Sequence, residues 1–422
     1  MIEDFFDIDP KIVQAAHLAE EQSARPFAEI EKTAEYNSCK VLSAFIKNNV
    51  SEACLKGSTG YGYGDLGRDR LDRVFADIMG AEDALVRHNI ASGTHALAVA
   101  LFGALSPGNR MVTVTGRPYD TLEETLGLRG QGEGSLMEWG IQYQEVDLLP
   151  DGSPDYPAIA REAAGARMIY IQRSRGYSLR PTLSVHCISE IVRTAKAANP
   201  QVVVMVDNCY GEFVERTEPC HVGADLIAGS LIKNPGGGIA YTGGYIAGRK
   251  DLIDRCAARL ICPGIGREVG CTLDQLRPMY QGLFFAPTVV ASAVKTAVFA
   301  AALFEGLGYQ VTPRPHEWRS DIVQAILLGD PKRLVAFCRG VQHGSPVDSF
   351  VTPEPWAMPG YDSPVIMAAG AFTLGASIEL SADAPLREPY AVWLQGGLNY
   401  PTGKTGIMLA AQSMLEQGLL EP

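Results

Sequence analysis

Six short, mostly apolar runs recur along the chain: ALVR (84 to 87), RMVTV (110 to 114), RMIYIQ (167 to 172), QVVVMVD (201 to 207), ADLIAGS (224 to 230) and GGYIAG (243 to 248). A strand that is apolar at successive positions, rather than at every second one, has to be covered on both faces. Helical stretches separate the runs, and strands alternating with helices place those helices on the two faces of a mostly parallel sheet. The fold class expected is therefore α/β. The chain has 422 residues, more than the roughly 250 to 300 at which a single core stops growing, so a second unit is expected beside the first.

The layout follows from local pattern. Residues 10 to 50 carry apolar positions at helical spacing, then GSTGYGYGDLG interrupts, and RDRLDRVFADIM resumes a helix closed by Gly80. From about residue 286 a long Ala/Val-rich helix leads into a proline-rich second set of strands and helices. These breaks divide the chain into an N-terminal helical arm (1 to 50), a large α/β domain (51 to 285) and a smaller α+β domain (286 to 422). A hydrophobic fraction of 46% and a charged fraction of 20% are those of an ordinary globular protein. The net charge of −12 argues against nucleic acid or an anionic membrane as partner. MIEDFFDIDP lacks the basic and apolar regions of a secretory signal, and no uninterrupted apolar run approaches the ~20 residues of a membrane span. Nine scattered cysteines without a C-x-x-C pair read as reduced thiols, with neither a disulfide framework nor a metal site. A cytoplasmic protein is expected.

Ligands of such sheets sit beyond the carboxyl ends of the strands, and three strand ends carry chemistry. ASGTHA (91 to 96) stands just before an apolar helix, where free backbone N–H groups, the positive end of the helix dipole and the hydroxyls of Ser92 and Thr94 suit a phosphate. A simple helix cap would use the same residues. Asp207 ends a strongly apolar strand, where a carboxylate is costly unless it is paired; a cap or loop contact is the plainer reading. Lys233 follows the strand ADLIAGS and precedes Asn-Pro-Gly-Gly-Gly, which continues neither helix nor strand. A lysine desolvated beside a cationic group has its pKa lowered enough to form an imine with an aldehyde; most lysines are merely solvated. Jointly, a phosphate cradle, a strand-terminal Asp and a lysine after the next strand match a pyridoxal 5'-phosphate (PLP) site, with Lys233 holding the aldehyde and Asp207 pairing the pyridinium nitrogen. The glycines after Lys233 would then let backbone and cofactor approach closely.

HVGADLIAGSLIKNPGGG resembles the lysine motif of the Cys/Met-metabolism PLP enzymes of fold type I, and YGYGDLGRDRLDRVFADIMGAEDALVRHNIASGTHAL resembles their active-site loop, helix and phosphate turn. With RSRGYSLRP, DNCYGEF and VWLQGGLNYPTGKTG, the chain over roughly residues 30 to 420 is most similar to the methionine gamma-lyase family or aluminium-resistance branch. The resemblance implies the fold type I architecture, a seven-stranded-type sheet in a large domain plus a smaller α+β domain. It implies Lys233 as Schiff-base lysine, Asp207 as partner of the ring nitrogen, and Ser92, Gly93, Thr94 and Ser230 as phosphate ligands. Tyr119 would stack on the ring, with Tyr63 reaching the phosphate of a neighbouring subunit in a homodimer or homotetramer with shared active sites. Tyr63 or Tyr119 would assist the leaving group. Where the family usually has an arginine two residues after that tyrosine, this chain has Asp65, so another cation such as Arg68 would balance the phosphate; the threonine usual before the lysine is Ile232.

An amino-acid substrate brings a carboxylate, which guanidinium binds in a bidentate manner. Arg387, which the resemblance matches by position to the carboxylate arginine of the family's smaller domain, and Arg173 and Arg175, at the end of a strand, are the candidates; surface solubility is their alternative role. The implied activity is elimination of a thiol from a cystathionine-, methionine- or cysteine-like amino acid, with Lys233 moving the proton. An aminotransferase or other amino-acid transferase on the same cofactor, or a PLP-binding protein with little turnover, are the alternatives.

Overall fold

The computed structural model describes residues 2–130, 132–358 and 363–420. Helix α1 (Pro10–Lys47) starts where the Asp9 carboxylate accepts from the Lys11 amide, and α2 (Leu66–Met79) stops at Gly80 in the left-handed region. Then come β1 (Asp83–Arg87), α3 (Gly93–Ala104), β2 (Arg110–Thr113), α4 (Asp120–Leu126), β3 (Gln142–Glu145), α5 (Tyr156–Ala163), β4 (Met168–Gln172), α6 (Val185–Ala198), β5 (Val203–Asp207), β6 (Leu226–Ser230), β7 (Gly244–Gly248) and α7 (Lys250–Leu260). The chain continues through α8 (Leu276–Gly306), β8 (Gln310–Thr312), β9 (Gln324–Leu327), α9 (Pro331–His343), β10 (Val365–Ala368), β11 (Ser381–Pro385), β12 (Ala391–Gln395) and α10 (Tyr400–Glu416).

All six apolar runs are strands of one seven-stranded sheet in the order β1-β7-β6-β5-β4-β2-β3. The seventh, β3, escaped the sequence reading because QYQE is polar and lies at an exposed edge. Pairing is parallel from β3 to β6, and β7 runs antiparallel to both its neighbours. Successive residues of β5 enter opposite cores, Val204 and Val206 one and Val203 and Met205 the other, as burial on both faces requires. The protein thus has the α/β architecture of fold type I.

A second, antiparallel sheet has the order β10-β11-β12-β9-β8. Here side chains alternate. Ala382, Ala384, Val392 and Leu394 face a third core with α9 and α10, whereas Ser381, Asp383, Trp393 and Gln395 lie on the other face. Helix α8 runs unbroken past residue 286 and changes core along its length, packing in the first through Val294 and in the third from Phe299. By length and composition α8 is long and apolar enough to cross a membrane, although Lys295 interrupts its apolar run. Of its most apolar window 67% is buried inside the fold, as suits a core helix.

Candidate active site

The register of the large sheet brings the three strand ends to one edge. Gln172, Asp207 and Ala228 are paired across β4, β5 and β6, so Ser230 and the loop bearing Lys233 emerge beside Asp207. Strand β1 runs parallel to β6, since both oppose β7, and α3 therefore begins at that same edge. The face of the second sheet bearing Ser381, Asp383, Trp393 and Gln395 closes the space from the other side, leaving a cavity of about 330 Å³. Ser92, Gly93, Thr94, Tyr119, Asp207, Ser230 and Lys233 all line it.

Each lining group has a local cause. Ser92 is the N-cap of α3, its hydroxyl oxygen accepting from the His95 amide (3.0 Å), and its own O–H remains to donate. The Thr94 and Thr121 hydroxyls meet at 2.9 Å. A Cβ at Gly93 would lie 3.2 Å from Cys209 Sγ, so a larger residue would crowd the cavity floor. Asp207 Oδ1 accepts from the Cys209 amide (3.1 Å); burial raises its pKa above the usual carboxylate value, and the Lys233 ammonium opposes that rise. Tyr119 Cδ2 borders Gly176, and its ring meets Tyr177 edge-on with centroids 5.7 Å apart.

Lys233 differs from expectation in one respect. Burial disfavours its ammonium, but Cys209, Tyr210 and Asp207 outweigh burial and its pKa is raised, not lowered. No cationic side chain among the described residues lines the cavity beside it. Its Nζ sits 4.0 Å from the centroid of the Tyr210 ring, and Tyr210 holds a positive φ of 72°. Tyr210 was not singled out from sequence; the only signal was a tyrosine three residues beyond a strand-terminal Asp. The glycines after Lys233 also serve another purpose. A Cβ at Gly236 would lie 1.6 Å from Leu231 O, and one at Gly282 of α8 would lie 2.1 Å from Gly236 O. Gly236 thus lets the lysine loop close on itself, and Gly237, whose Cβ would lie 2.4 Å from Gly282 O, lets it pack against α8.

The arginines are placed elsewhere. Arg173 is fully buried, donating to Asn208 Oδ1 (2.7 Å), Glu215 Oε1 (2.9 Å) and Glu218 Oε2 (3.4 Å), so its guanidinium is consumed within the chain. Arg175 donates to the Thr312 carbonyl (2.9 Å). Arg387 is exposed on the turn between β11 and β12. None of the three lines the cavity, where Lys233 is the one basic residue among the described residues. Arg68 is likewise turned inward, its Nη1 donating to the carbonyls of Gly62 and Gly270 (2.9 Å each), with Asp65 accepting from its amide and from Thr272 Oγ1 (2.6 Å). These contacts brace the loop that presents Tyr61 and Tyr63, both exposed, with ring centroids 5.8 Å apart. Tyr63 does not line the cavity of its own chain.

A phosphorylated aldehyde fits these residues. Ser230 Oγ is buried with no hydrogen-bond partner among the described residues, beside the N-terminus of α3, and Lys233 and Asp207 lie along the same edge. A family model for methionine gamma-lyase matches residues 12–415. The chain belongs to the methionine gamma-lyase family. Its cofactor is PLP. The chain is 50% identical over 394 residues to the uncharacterised protein YnbB of Bacillus subtilis, covering 93% of this chain and 94% of that one. It is 26% identical over 209 residues to the L-methionine gamma-lyase of Pseudomonas putida, covering 48% and 47% of the two chains. A carbon–sulfur lyase involved in aluminium resistance from Clostridium novyi superimposes with a TM-score of 0.93 at 48% identity, covering 96% of each chain.

Proposed function

We propose that the protein is a PLP-dependent carbon–sulfur lyase that cleaves a sulfur-containing amino acid by β- or γ-elimination, releasing a thiol, a keto acid and ammonia. The observation that carries this reading is the cavity in which Lys233, Asp207, the start of α3 and the unpartnered Ser230 hydroxyl converge. Ser92, Gly93, Thr94 and Ser230 would hold the phosphate, Tyr119 would cover the ring and Asp207 would keep the ring nitrogen protonated. When bound, PLP supplies an aldehyde for the substrate amine and a sink for the electrons of the Cα–H bond. The chain's own part is proton transfer. In β-elimination Lys233 Nζ takes the Cα proton and returns one to the departing sulfur, while the Cβ–S bond breaks and a Cα–Cβ double bond forms; in γ-elimination a Cβ proton is removed as well, the Cγ–S bond breaks and Cγ is protonated afterwards. Water then hydrolyses the released enamine. Tyr210, against the lysine, orients Nζ through the face of its ring.

The braced, exposed Tyr61–Tyr63 loop supports a homodimer in which Tyr63 completes the cavity of a second copy. In a panel of thioether amino acids given to the PLP-loaded enzyme, thiol and keto acid should appear in equal amounts. Accumulation of the pyridoxamine form without thiol would instead mark an aminotransferase.

A further inference from the structure

The wall of the cavity opposite the strand ends carries more polar chemistry than the reaction so far uses. Ser381 and Asp383 share a face of β11 because side chains alternate, and the register pairs them with Gln395 and Trp393 of β12. All four line the cavity, with Ser377 beside them. Asp383 is buried; it accepts from Gln395 Nε2 (2.7 Å) and from the Tyr177 hydroxyl, both neutral donors. Burial pushes its pKa up to about 6, against the Tyr177 and Gln395 hydrogen bonds and the Lys233 charge, which favour the carboxylate. Lys233, across the cavity, is a cation that acts on it, but among the described residues no cationic side chain touches it, and a cation brought by the ligand lowers the cost of burying this carboxylate. On the same wall the Ser377 and Ser381 hydroxyls and the Trp393 indole nitrogen are buried donors with no acceptor among the described residues. They suit the carboxylate of the reacting amino-acid head, for which no arginine lines the cavity.

We propose that Asp383 determines substrate specificity by receiving an ammonium group on the half of the substrate that leaves as the thiol, so that the cavity takes thioether amino acids with an aminoalkyl group on sulfur. This rests on the lyase reading. The wall provides donors for one carboxylate and a carboxylate for one ammonium, and among the described residues it has no cationic side chain to match a further carboxylate on the leaving half.

Three compounds test it on the PLP-loaded enzyme: S-(2-aminoethyl)-L-cysteine, the S-propyl compound, which has the same number of heavy atoms, and S-carboxymethyl-L-cysteine. Dissociation constants by calorimetry and kcat/KM for thiol release are both measured. The aminoethyl compound should be favoured about tenfold or more over the propyl one, as a charge-assisted hydrogen bond implies, and the carboxymethyl compound should be the poorest. Asp383→Asn should abolish the preference, bringing the ratio of the aminoethyl to the propyl compound in Kd and in kcat/KM to about one, and Asp383→Glu should retain it. Equal handling of the aminoethyl and propyl compounds by the unmutated enzyme, or a preference that survives Asp383→Asn, overturns the proposal. The unmutated comparison decides even if the variant fails to fold. A binding preference without release of any thiol would uphold Asp383 and refute the lyase; thiol release without preference would do the reverse.

Discussion

Replacing Arg173 by methionine separates the two roles that a strand-end arginine can have. The guanidinium bridges Glu215 and Glu218, and the side chains of Arg173 and Glu218 are both 0% exposed. Without it the Glu218 carboxylate keeps the Phe213 amide (2.9 Å) and Asn208 Nδ2 (3.1 Å) but loses its counter-charge in a dry site. Removing one partner of such a pair costs about 3–5 kcal/mol. At about 2.1 cal/mol/K per residue, unfolding 422 residues as one unit carries an entropy of about 0.9 kcal/mol/K, so the midpoint should fall by about 3–6 °C. Scanning calorimetry checks the shift, and steady-state kinetics at a temperature where the variant is folded should show little change in KM. Adding Glu215→Gln and Glu218→Gln to the methionine variant should restore much of the loss, because the stranded charges are gone. An unchanged midpoint with a KM raised many-fold would show that Arg173 binds the substrate carboxylate after all.

Glu212 is buried with one oxygen accepting from the Tyr245 hydroxyl (2.8 Å), and burial pushes its pKa up to about 8. The folded state therefore holds a proton that the unfolded state releases from about pH 4.5 upward, so this group's contribution to stability falls as pH rises towards about 8; Glu212→Gln should flatten that slope in urea titrations across the window. Gly282→Ala would drive a Cβ onto Gly236 O, a backbone clash no rotamer relieves, and should cost about 1–3 kcal/mol by chemical denaturation while disturbing the lysine loop. Asp207→Asn keeps shape and removes charge, and turnover should fall by orders of magnitude while PLP still binds through its phosphate; undiminished turnover would remove Asp207 from the mechanism.

What was legible in the sequence is what neighbours along the chain determine. Continuous apolar runs gave the strands of the large sheet, strand termini located Ser92–Thr94, Asp207 and Lys233, and the family resemblance added Ser230; the register then gathers them in one cavity. The second wall was not legible, because Ser381, Asp383, Trp393 and Gln395 share a face only once β11 and β12 are paired. The period-two alternation in SADAP was the one available sign of Asp383. Arg173 and Arg175 looked like anion ligands since their partners, Glu215, Glu218 and Thr312, lie 42, 45 and 137 residues away. Lys233 looked destined for a lowered pKa because a cationic neighbour was expected, whereas Cys209 and Tyr210, not recognised as its surroundings, act with Asp207 to raise it.

The central claim is that Lys233 is the residue that engages the cofactor. Borohydride reduction of the PLP-loaded, unmutated protein, followed by peptide mapping, tests it most directly. Lys233→Ala provides the control: it leaves Ser92 to Thr94, proposed to hold the phosphate, in place and should bind PLP without forming a borohydride-reducible bond. The account predicts a single pyridoxyl-modified lysine, in the peptide containing Lys233. A pyridoxyl group on any other lysine, or on none, would contradict it.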